Sequence, residues 1–462
     1  MYSYLIHIKS SSSKNARNLR RASSAITKLL SSNEFHLTDS LIRLPSIHAE
    51  MSIIEPTPPP ENSEPLITHY QDEEYFILAY GDNVANSSTT LAERIHAIFQ
   101  KKTISAVRTI DSCFSAVIIN KRSGELYSCT DFIGRRKPYF YHTKGDLLIS
   151  SHDLAIIATG PFLTEYDAMS VYSYMALDWS LAGESFLKEI DTVQPYEYLY
   201  RNPSEIRLIQ DSIIATDEIR TRRIEIQKVL HKICQVIESQ ISYFSGASEK
   251  VRIDLTAGLD SRALLGLVLT NYSPENIAAH TMGDKQSEDV KVARYLAKKY
   301  GVSYRYSLPS DVSKEQFVYH SRMLSYALNG QTDSQRAIHP FKGLEDSTTP
   351  KFNGIGGEIY RGHYYHKPAE WSFSNAVQHL SSHNRIQNSV LNDYDIELQF
   401  RQNIRDKLDT FSQWTCSVTK TMDLFYLWER FGNWGGHYPA APGSLMSTLH
   451  SPAHTRLFYI FT

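Results

Sequence analysis

The rhythm of apolar and polar positions changes about halfway along the chain. Short strand-like runs recur at close intervals in the first half: Tyr4 to Ile8, Tyr75 to Tyr80, Cys113 to Asn120, Glu125 to Asp131, Tyr139 to His142 and Leu147 to Ser150. Such spacing predicts a layered, mostly antiparallel α+β domain. Farther on, Ile226, Val229, Ile233, Val236, Ile237 and Ile241 follow the spacing of one helix face. A strict alternation comes next: strand Val251 to Leu255, helix Ser261 to Thr270, strand Ile277 to Met282, helix Ser287 to Lys299 and strand Val302 to Leu308. Strands alternating with helices predict an α/β domain with a parallel sheet, right-handed crossovers and a ligand at the carboxyl ends of the strands. The expected division is 1–210, a polar linker 211–225, and 226–462. Glu55 to Pro65 holds five prolines and reads as an exposed loop, and Lys14, Arg17, Arg20 and Arg21, set among serines, read as a solvated loop.

The first of those strand ends carries the most chemistry. Leu255-Thr256-Ala257-Gly258-Leu259-Asp260-Ser261 runs from strand into helix through three small residues. Backbone N–H groups there can crowd round phosphate oxygens, and the positive helix start favours the same anion. Asp260 supplies a hard carboxylate oxygen of the kind Mg2+ prefers, and Ser261 a hydroxyl donor. The spacing fits neither G-x-x-x-x-G-K-[ST] nor G-x-G-x-x-G. About a hundred residues on, Gly354-Ile355-Gly356-Gly357-Glu358-Ile359-Tyr360-Arg361-Gly362 brackets one acid with glycines.

The first run resembles the S-G-G-x-D-S loop of the ATP-pyrophosphatase enzymes, and specifically the asparagine synthetase-like amide ligases, with Thr256 and Ala257 in place of Ser and Gly. The second resembles that family's G-x-G-[AS]-D-E-x-x-x-G-Y segment, in the expected order. The resemblance implies an adenine nucleotide alpha hydrolase-like back domain that binds ATP and Mg2+. Leu255, Thr256, Ala257, Gly258, Leu259, Asp260, Ser261, Met282, Gly356 and Gly357 then contact the nucleotide, and Asp260 and Glu358 are the catalytic, metal-binding pair. Ser287-Glu288-Asp289 resembles the acidic helix start after the family's adenine-side strand; favourable placement of acids at a helix N-terminus explains it as well.

Asp131 to Tyr141, with Ile149-Ser150-Ser151-His152, resembles the R-D-x-x-G-x-K-P-L-Y-Y … F-A-S-E stretch of the family's glutaminase-type domain, which implies an Ntn-hydrolase-like layered fold. Working glutaminases use an N-terminal Cys as nucleophile. Tyr occupies position 2 here, so this domain is expected to keep the fold without the hydrolysis. Ile355 stands where asparagine synthetases carry Glu and the β-lactam synthetases Tyr, and an isoleucine carries no proton, so a base must come from elsewhere, with Tyr360, Arg361, His363 and Tyr364 close in sequence. Asp423 to Trp434 resembles the helix before the family's P-F-L-D segment. The family's later phosphate-contacting Lys has no visible counterpart before Thr462, which implies a shortened chain or an altered activity.

Taken together, the resemblance implies an ATP-dependent ligase that adenylates a carboxylate on a small molecule or peptide and passes the acyl group to an amine donor, akin to β-lactam synthetases and lasso-peptide cyclases. An asparagine synthase-like protein with impaired glutaminase, or a catalytically inactive ATP-binding homologue, is the alternative. A net charge of −2 over 462 residues gives no pull toward nucleic acid or acidic lipid. No apolar stretch reaches the roughly 20 residues a membrane span needs. Four scattered cysteines fit a reducing cytoplasm. A homodimer stays open. His363-Tyr364-Tyr365-His366 lacks zinc-site spacing.

Overall fold

The computed structural model describes residues 2–9, 19–30, 36–57, 66–81, 89–110, 112–143, 146–160, 165–211, 226–308, 313–331, 349–357, 364, 371–382, 384–386, 394–415, 417–435 and 449–450. Two antiparallel six-stranded sheets build the front of the chain. The first runs, in spatial order, Asp191–Thr192, Tyr139–His142, Asp146–Ser150, Ser3–Lys9, Ala49–Thr57 and His36–Leu44. The second runs Ile206–Gln210, Glu197–Arg201, Leu126–Thr130, Phe114–Asn120, Tyr75–Gly81 and Ile67–Gln71.

Tyr4, Ile6 and Ile8 of the first sheet meet Phe76, Leu78, Tyr80, Val117 and Ile119 of the second in one core. The alternate residues are apolar too. Leu5 packs outward on Leu19 and Ala22 of the helix Leu19–Leu30, and Ile77 and Ile118 pack on Leu91 and Ile95 of the helix Leu91–Lys101. Each sheet is therefore buried on both faces, giving the helix–sheet–sheet–helix layering that the closely spaced strands predicted.

Two local expectations change. Arg20 and Arg21 lie on the helix Leu19–Leu30 rather than in a loop, because Leu19, Ala22, Ile26 and Leu30 form a buried stripe at helical spacing beneath them. Glu55, Pro56 and Thr57 end the strand Ala49–Thr57, where a loop was expected. Ser3 pairs with Ile54, so beyond that point the strand has a partner on one side only, and a proline lacking its N–H is tolerated there.

Behind these layers a third sheet is wholly parallel, in the order Ser303–Ser307, Ile277–Met282, Val251–Asp254, Lys351–Phe352, Leu449–His450. Its apolar positions, Val251, Ile253, Ile277 and Phe352, bury against Ile241 of the helix Ile226–Ala247, Leu265 and Val268 of the helix Leu259–Val268, and Ala293 of the helix Glu288–Tyr300. The fold class is the expected one.

Front and back share cores rather than meeting at a thin seam. Phe132, Trp179 and Tyr196 from the front lie in one cluster with Phe400, Phe411, Trp428 and Phe431 from the back. Ile26, Leu30 and Ala155 likewise pack on Met323, Leu324 and Tyr326 of the helix Lys314–Ala327. The linker expected at 211–225 lies outside the described residues apart from Asp211.

A buried acid sits at this second contact. The Asp153 carboxylate accepts a hydrogen bond from Ser185 Oγ at 2.6 Å, and its N–H donates to Asn329 Oδ1 at 3.0 Å. Burial pushes its carboxyl up from 3.8 to about 6, against the lowering effect of the Ser185 hydrogen bond and of the backbone N–H groups of Leu154 and Asp153. The folded protein thus holds a proton that the unfolded chain has released, so this contribution to stability is complete below about 3.8 and is lost as pH rises through about 6. A rise of that size corresponds to roughly 3 kcal/mol. Asp153→Asn is expected to be more stable than wild type by about that much at pH 7 and nearly equal to it at pH 4, in denaturant melts at the two pH values. Equal stability at pH 7 contradicts the burial cost.

Candidate nucleotide site

Within the parallel sheet the strand order reverses between Val251–Asp254 and Lys351–Phe352. The chain leaves the first toward Ile277–Met282 and returns on its other side. Open α/β sheets bind ligands at such a reversal, outside the carboxyl ends of the strands. Both singled-out loops start there. Lys351 pairs with Arg252 across the two strands, and its Nζ lies 2.9 Å from Asp254 Oδ1. Burial works to raise the Asp254 carboxyl, but Lys351 and the hydrogen bond from His280 hold it below the usual range. An ion pair thus ties the two strands together just beneath the loops.

The first loop turns at once into the helix Leu259–Val268, two residues earlier than the apolar spacing predicted. Asp260 therefore sits in the first helical turn, and the N-cap Gly258 offers no side chain to that end. A helix start without a side-chain cap suits an anion. Leu259 is 60% exposed beside it, and Ser261 is buried.

Thr256, Ala257 and Gly258 were expected to aim their N–H groups at phosphate, but each donates within the protein. Thr256 N–H donates to Ser261 Oγ at 3.1 Å, Ala257 N–H to Asp289 Oδ1 at 2.8 Å, and Gly258 N–H to Thr256 Oγ1 at 3.1 Å. Two of the acceptors are local, the Thr256 and Ser261 hydroxyls inside the turn, and the third is the Asp289 carboxylate from the start of a neighbouring helix. Leu255 is fully buried; its N–H donates to His280 O at 2.9 Å, and its carbonyl accepts from Thr281 Oγ1 at 2.5 Å. Met282 ends its strand half-buried, in register with Ser307.

Asp289 is the residue that sequence reasoning underrated. Ser287 caps the helix Glu288–Tyr300, and Asp289 in its first turn reaches across to Ala257. The signal available was an acid at the start of the helix following the neighbouring strand.

The second loop presses on the first. A Cβ added to Gly354 would lie 2.9 Å from Ser261 N, and one added to Gly357 would lie 2.7 Å from both Asp260 Cβ and Oδ1 and nearer still to Cγ. Gly356 adopts φ +95, a left-handed conformation natural to glycine. Residues about a hundred positions apart thus meet on Asp260 with no room for side chains. Glu358, the expected second metal ligand, lies outside the described residues, as do Tyr360, Arg361 and His363. Among the described residues no group of three or more His, Cys, Asp or Glu could hold a metal ion. Asp260, carrying hard oxygens at a helix start without a side-chain cap and against a glycine turn, fits a magnesium–polyphosphate group.

The glycine requirement is testable. Gly357→Ala would drive its methyl into the Asp260 side chain, and any ATP-dependent activity is expected to fall at least about tenfold with little change in thermal stability. Full activity in this variant would mean that the contact has no functional weight.

Ile355 turns away from this chemistry. Its N–H donates to Asn353 Oδ1 at 3.1 Å, and its side chain packs on the aromatic cluster shared by front and back. Tyr364, buried in that cluster, is no candidate base, because burial pushes its phenol well above the usual range.

At the front, Tyr2 lies in the core between the two antiparallel sheets. It is 1% exposed, and burial pushes its phenol up to about 12. Burial likewise pushes the Cys129 thiol up to about 12, and Cys113 is buried. Cys416 lies outside the described residues.

No family model matches the chain. It is 22% identical, over 211 residues, to a probable glutamine-hydrolysing asparagine synthetase of Acanthamoeba polyphaga mimivirus, a match spanning 44% of this chain and 36% of that one. Among solved structures, a glutamine phosphoribosylpyrophosphate amidotransferase from B. subtilis complexed with ADP and GMP overlaps 66% of this chain and 65% of its own, at 9% identity and a TM-score of 0.28. An NH3-dependent NAD synthetase from Campylobacter jejuni overlaps 40% of this chain and 94% of its own, at 12% identity and a TM-score of 0.21. Overlaps this loose carry no argument about fold, which rests on the strand order itself. Over that stretch the chain is similar to an asparagine synthetase, and the match spans about a third of the length of that curated relative. No helix among the described residues is long and apolar enough to cross a membrane.

Proposed function

We propose that the chain uses ATP and Mg2+ to adenylate a carboxylate on a small molecule or peptide and passes the acyl group to an amine, without hydrolysing glutamine. The observation carrying this reading is the packing of Gly354 and Gly357 on Asp260 and Ser261, which joins the two motifs at the sheet's reversal point. Mg2+ would be held by Asp260 and Glu358, and when bound it neutralises charge on the departing pyrophosphate. Gly354 and Gly357 let the second loop approach Asp260, and the Lys351–Asp254 pair fixes the spacing of the two strands. Asp289 holds the Ala257 N–H and so sets the loop's shape. Cytoplasmic location and the lack of a nucleic-acid partner belong to the same proposal.

A second reading, an ATP-binding homologue without catalysis, draws on the three loop N–H groups already engaged within the protein. Incubation with ATP, Mg2+ and a panel of carboxylic acids separates the two. Acid-dependent release of pyrophosphate and AMP, with amide formed on adding an amine, is the expected result. ATP binding without pyrophosphate from any acid favours the second reading, and glutamate formed from glutamine contradicts the loss of the glutaminase.

A further inference from the structure

The parallel sheet ends in an open edge. Ser303–Ser307 pairs with Ile277–Met282 on one side and, among the described residues, with no strand on the other. Such an edge carries a row of backbone N–H and C=O groups able to template another chain, and proteins usually blunt it with proline, lysine, a bulge or a covering element. This strand holds no proline or lysine, and Ser303, Arg305 and Tyr306 are exposed along it. Tyr306 is 39% exposed, and Tyr295, on the helix Glu288–Tyr300 that packs beside the strand, is 64% exposed.

The charge along that edge has one sign. In a chain of net charge −2, the stretch from Lys291 to Leu308 holds Lys291, Arg294, Lys298, Lys299 and Arg305 and no Asp or Glu. Lys291 is taken by Glu288 at 3.3 Å, and the Arg294 guanidinium stands 5.3 Å from the Tyr306 ring centre. Arg294, Lys298 and Arg305 meet no carboxylate among the described residues. Glu275 is on the turn Pro274–Asn276, which meets Gly301 before the strand begins.

These features select the occupant. A row of backbone donors and acceptors asks for another extended backbone, which a peptide supplies and a nucleic acid does not. Cations without an internal partner ask for carboxylates on that peptide. Arg305 is the middle residue of the strand, so a second copy paired across a two-fold axis there would set Arg305 against Arg305, an unfavourable match.

We propose that Ser303–Ser307 is a docking edge for an extended acidic peptide segment of another protein, which adds a strand to the sheet and sets its carboxylates against Arg294 and Arg305. Side chains alternate along a strand, so Arg305 on one face, and Tyr306 with Arg294 on the other, meet successive residues of the peptide. Docking here requires neither ATP nor the ligase reading.

The test follows the fluorescence anisotropy of labelled ten-residue peptides added to the full chain without ATP. A peptide alternating glutamate and valine is expected to bind, and its lysine–valine counterpart to bind at least about tenfold more weakly. N-methylation of every amide keeps the charge of the acidic peptide and removes its backbone donors, and is expected to weaken it at least about tenfold. Arg305→Glu, an exposed substitution expected to leave the melting temperature unchanged, should weaken the acidic peptide at least about tenfold and strengthen the lysine one. A merely structural role for Arg305 would not give that reversal. The proposal is overturned by no binding of the acidic peptide up to about a millimolar, by equal binding of its N-methylated form, by tighter binding of an oligodeoxythymidylate of the same charge, or by an Arg305→Glu variant that binds as wild type does.

Discussion

Asp260→Asn is expected to reduce ATP-dependent pyrophosphate release by about a thousandfold while leaving the melting temperature nearly unchanged. The side chain is half-exposed in the first turn of its helix, so the fold does not depend on its charge. Its oxygens lie where the glycine turn 354–357 closes on the helix start, the place where charge on a leaving pyrophosphate would develop. Loss of a single preorganised group at such a place costs about a hundred- to a thousandfold in rate, and loss of a metal ligand belongs at the upper end. Glu358→Gln is expected to behave alike. A coupled pyrophosphate assay, with thermal melts as the folding control, decides the matter. Full release by Asp260→Asn would remove the site assignment.

Trp428→Ala is expected to destabilise the protein by about 4 kcal/mol. The indole is 1% exposed; it donates from Nε1 to Phe132 O at 3.0 Å and stands 5.3 Å from Tyr196, 5.2 Å from Phe411 and 5.5 Å from Trp414 between ring centres. Truncation leaves a cavity and removes the indole donor from the Phe132 carbonyl. Because the ring joins residues of the front layers to helices of the back, its loss should weaken both parts together. Nearby polar contacts cross the same boundary: Lys407 donates to Tyr196 at 3.0 Å, and Lys137, pushed down to about 8 by burial and also bonded to Gln194 on its own side at 2.9 Å, donates to Asn433. Denaturant melts followed by both tryptophan fluorescence and circular dichroism should therefore show one transition in the wild type, moved to lower denaturant in the variant. Two separate transitions in the wild type would contradict the shared core.

Where an element's own residues determine it, the sequence was legible. Ile277–Met282 and Tyr139–His142 emerge with their expected ends, because each is an apolar or aromatic run interrupted by turn residues. What depends on distant partners was not. His36–Leu44 carries Thr38, Asp39, Ser40 and Arg43 along a sheet edge, so its apolar pattern is diluted. Lys351–Phe352 is a two-residue strand that exists by pairing with Val251–Asp254 on one side and Leu449–His450 on the other.

The candidate site divides in the same way. Asp260 stood out as an acid on a small-residue turn from strand into helix, whereas the glycines at 356 and 357, which alone could belong to any tight turn, were singled out through the resemblance of their segment to the family's second motif. The hydrogen bond from Ala257 to Asp289 spans 32 positions and the one from Trp428 to Phe132 spans 296, and neither leaves a periodicity to detect. The engaged loop N–H groups were missed because Thr256 and Ser261 were read for what they offer a ligand rather than for what they offer each other.

The account's central claim is that the loops at 255–261 and 354–358 grip one triphosphate and one metal between them. A crystal structure with a non-hydrolysable ATP analogue and Mn2+ tests it directly, because anomalous scattering locates the ion independently of the density for its ligands. The account predicts a single Mn2+ site bonded to carboxylate oxygens of Asp260 and Glu358 and to the analogue's phosphates. An ion bound elsewhere, or a triphosphate lying away from the Gly258–Asp260 turn, would contradict it.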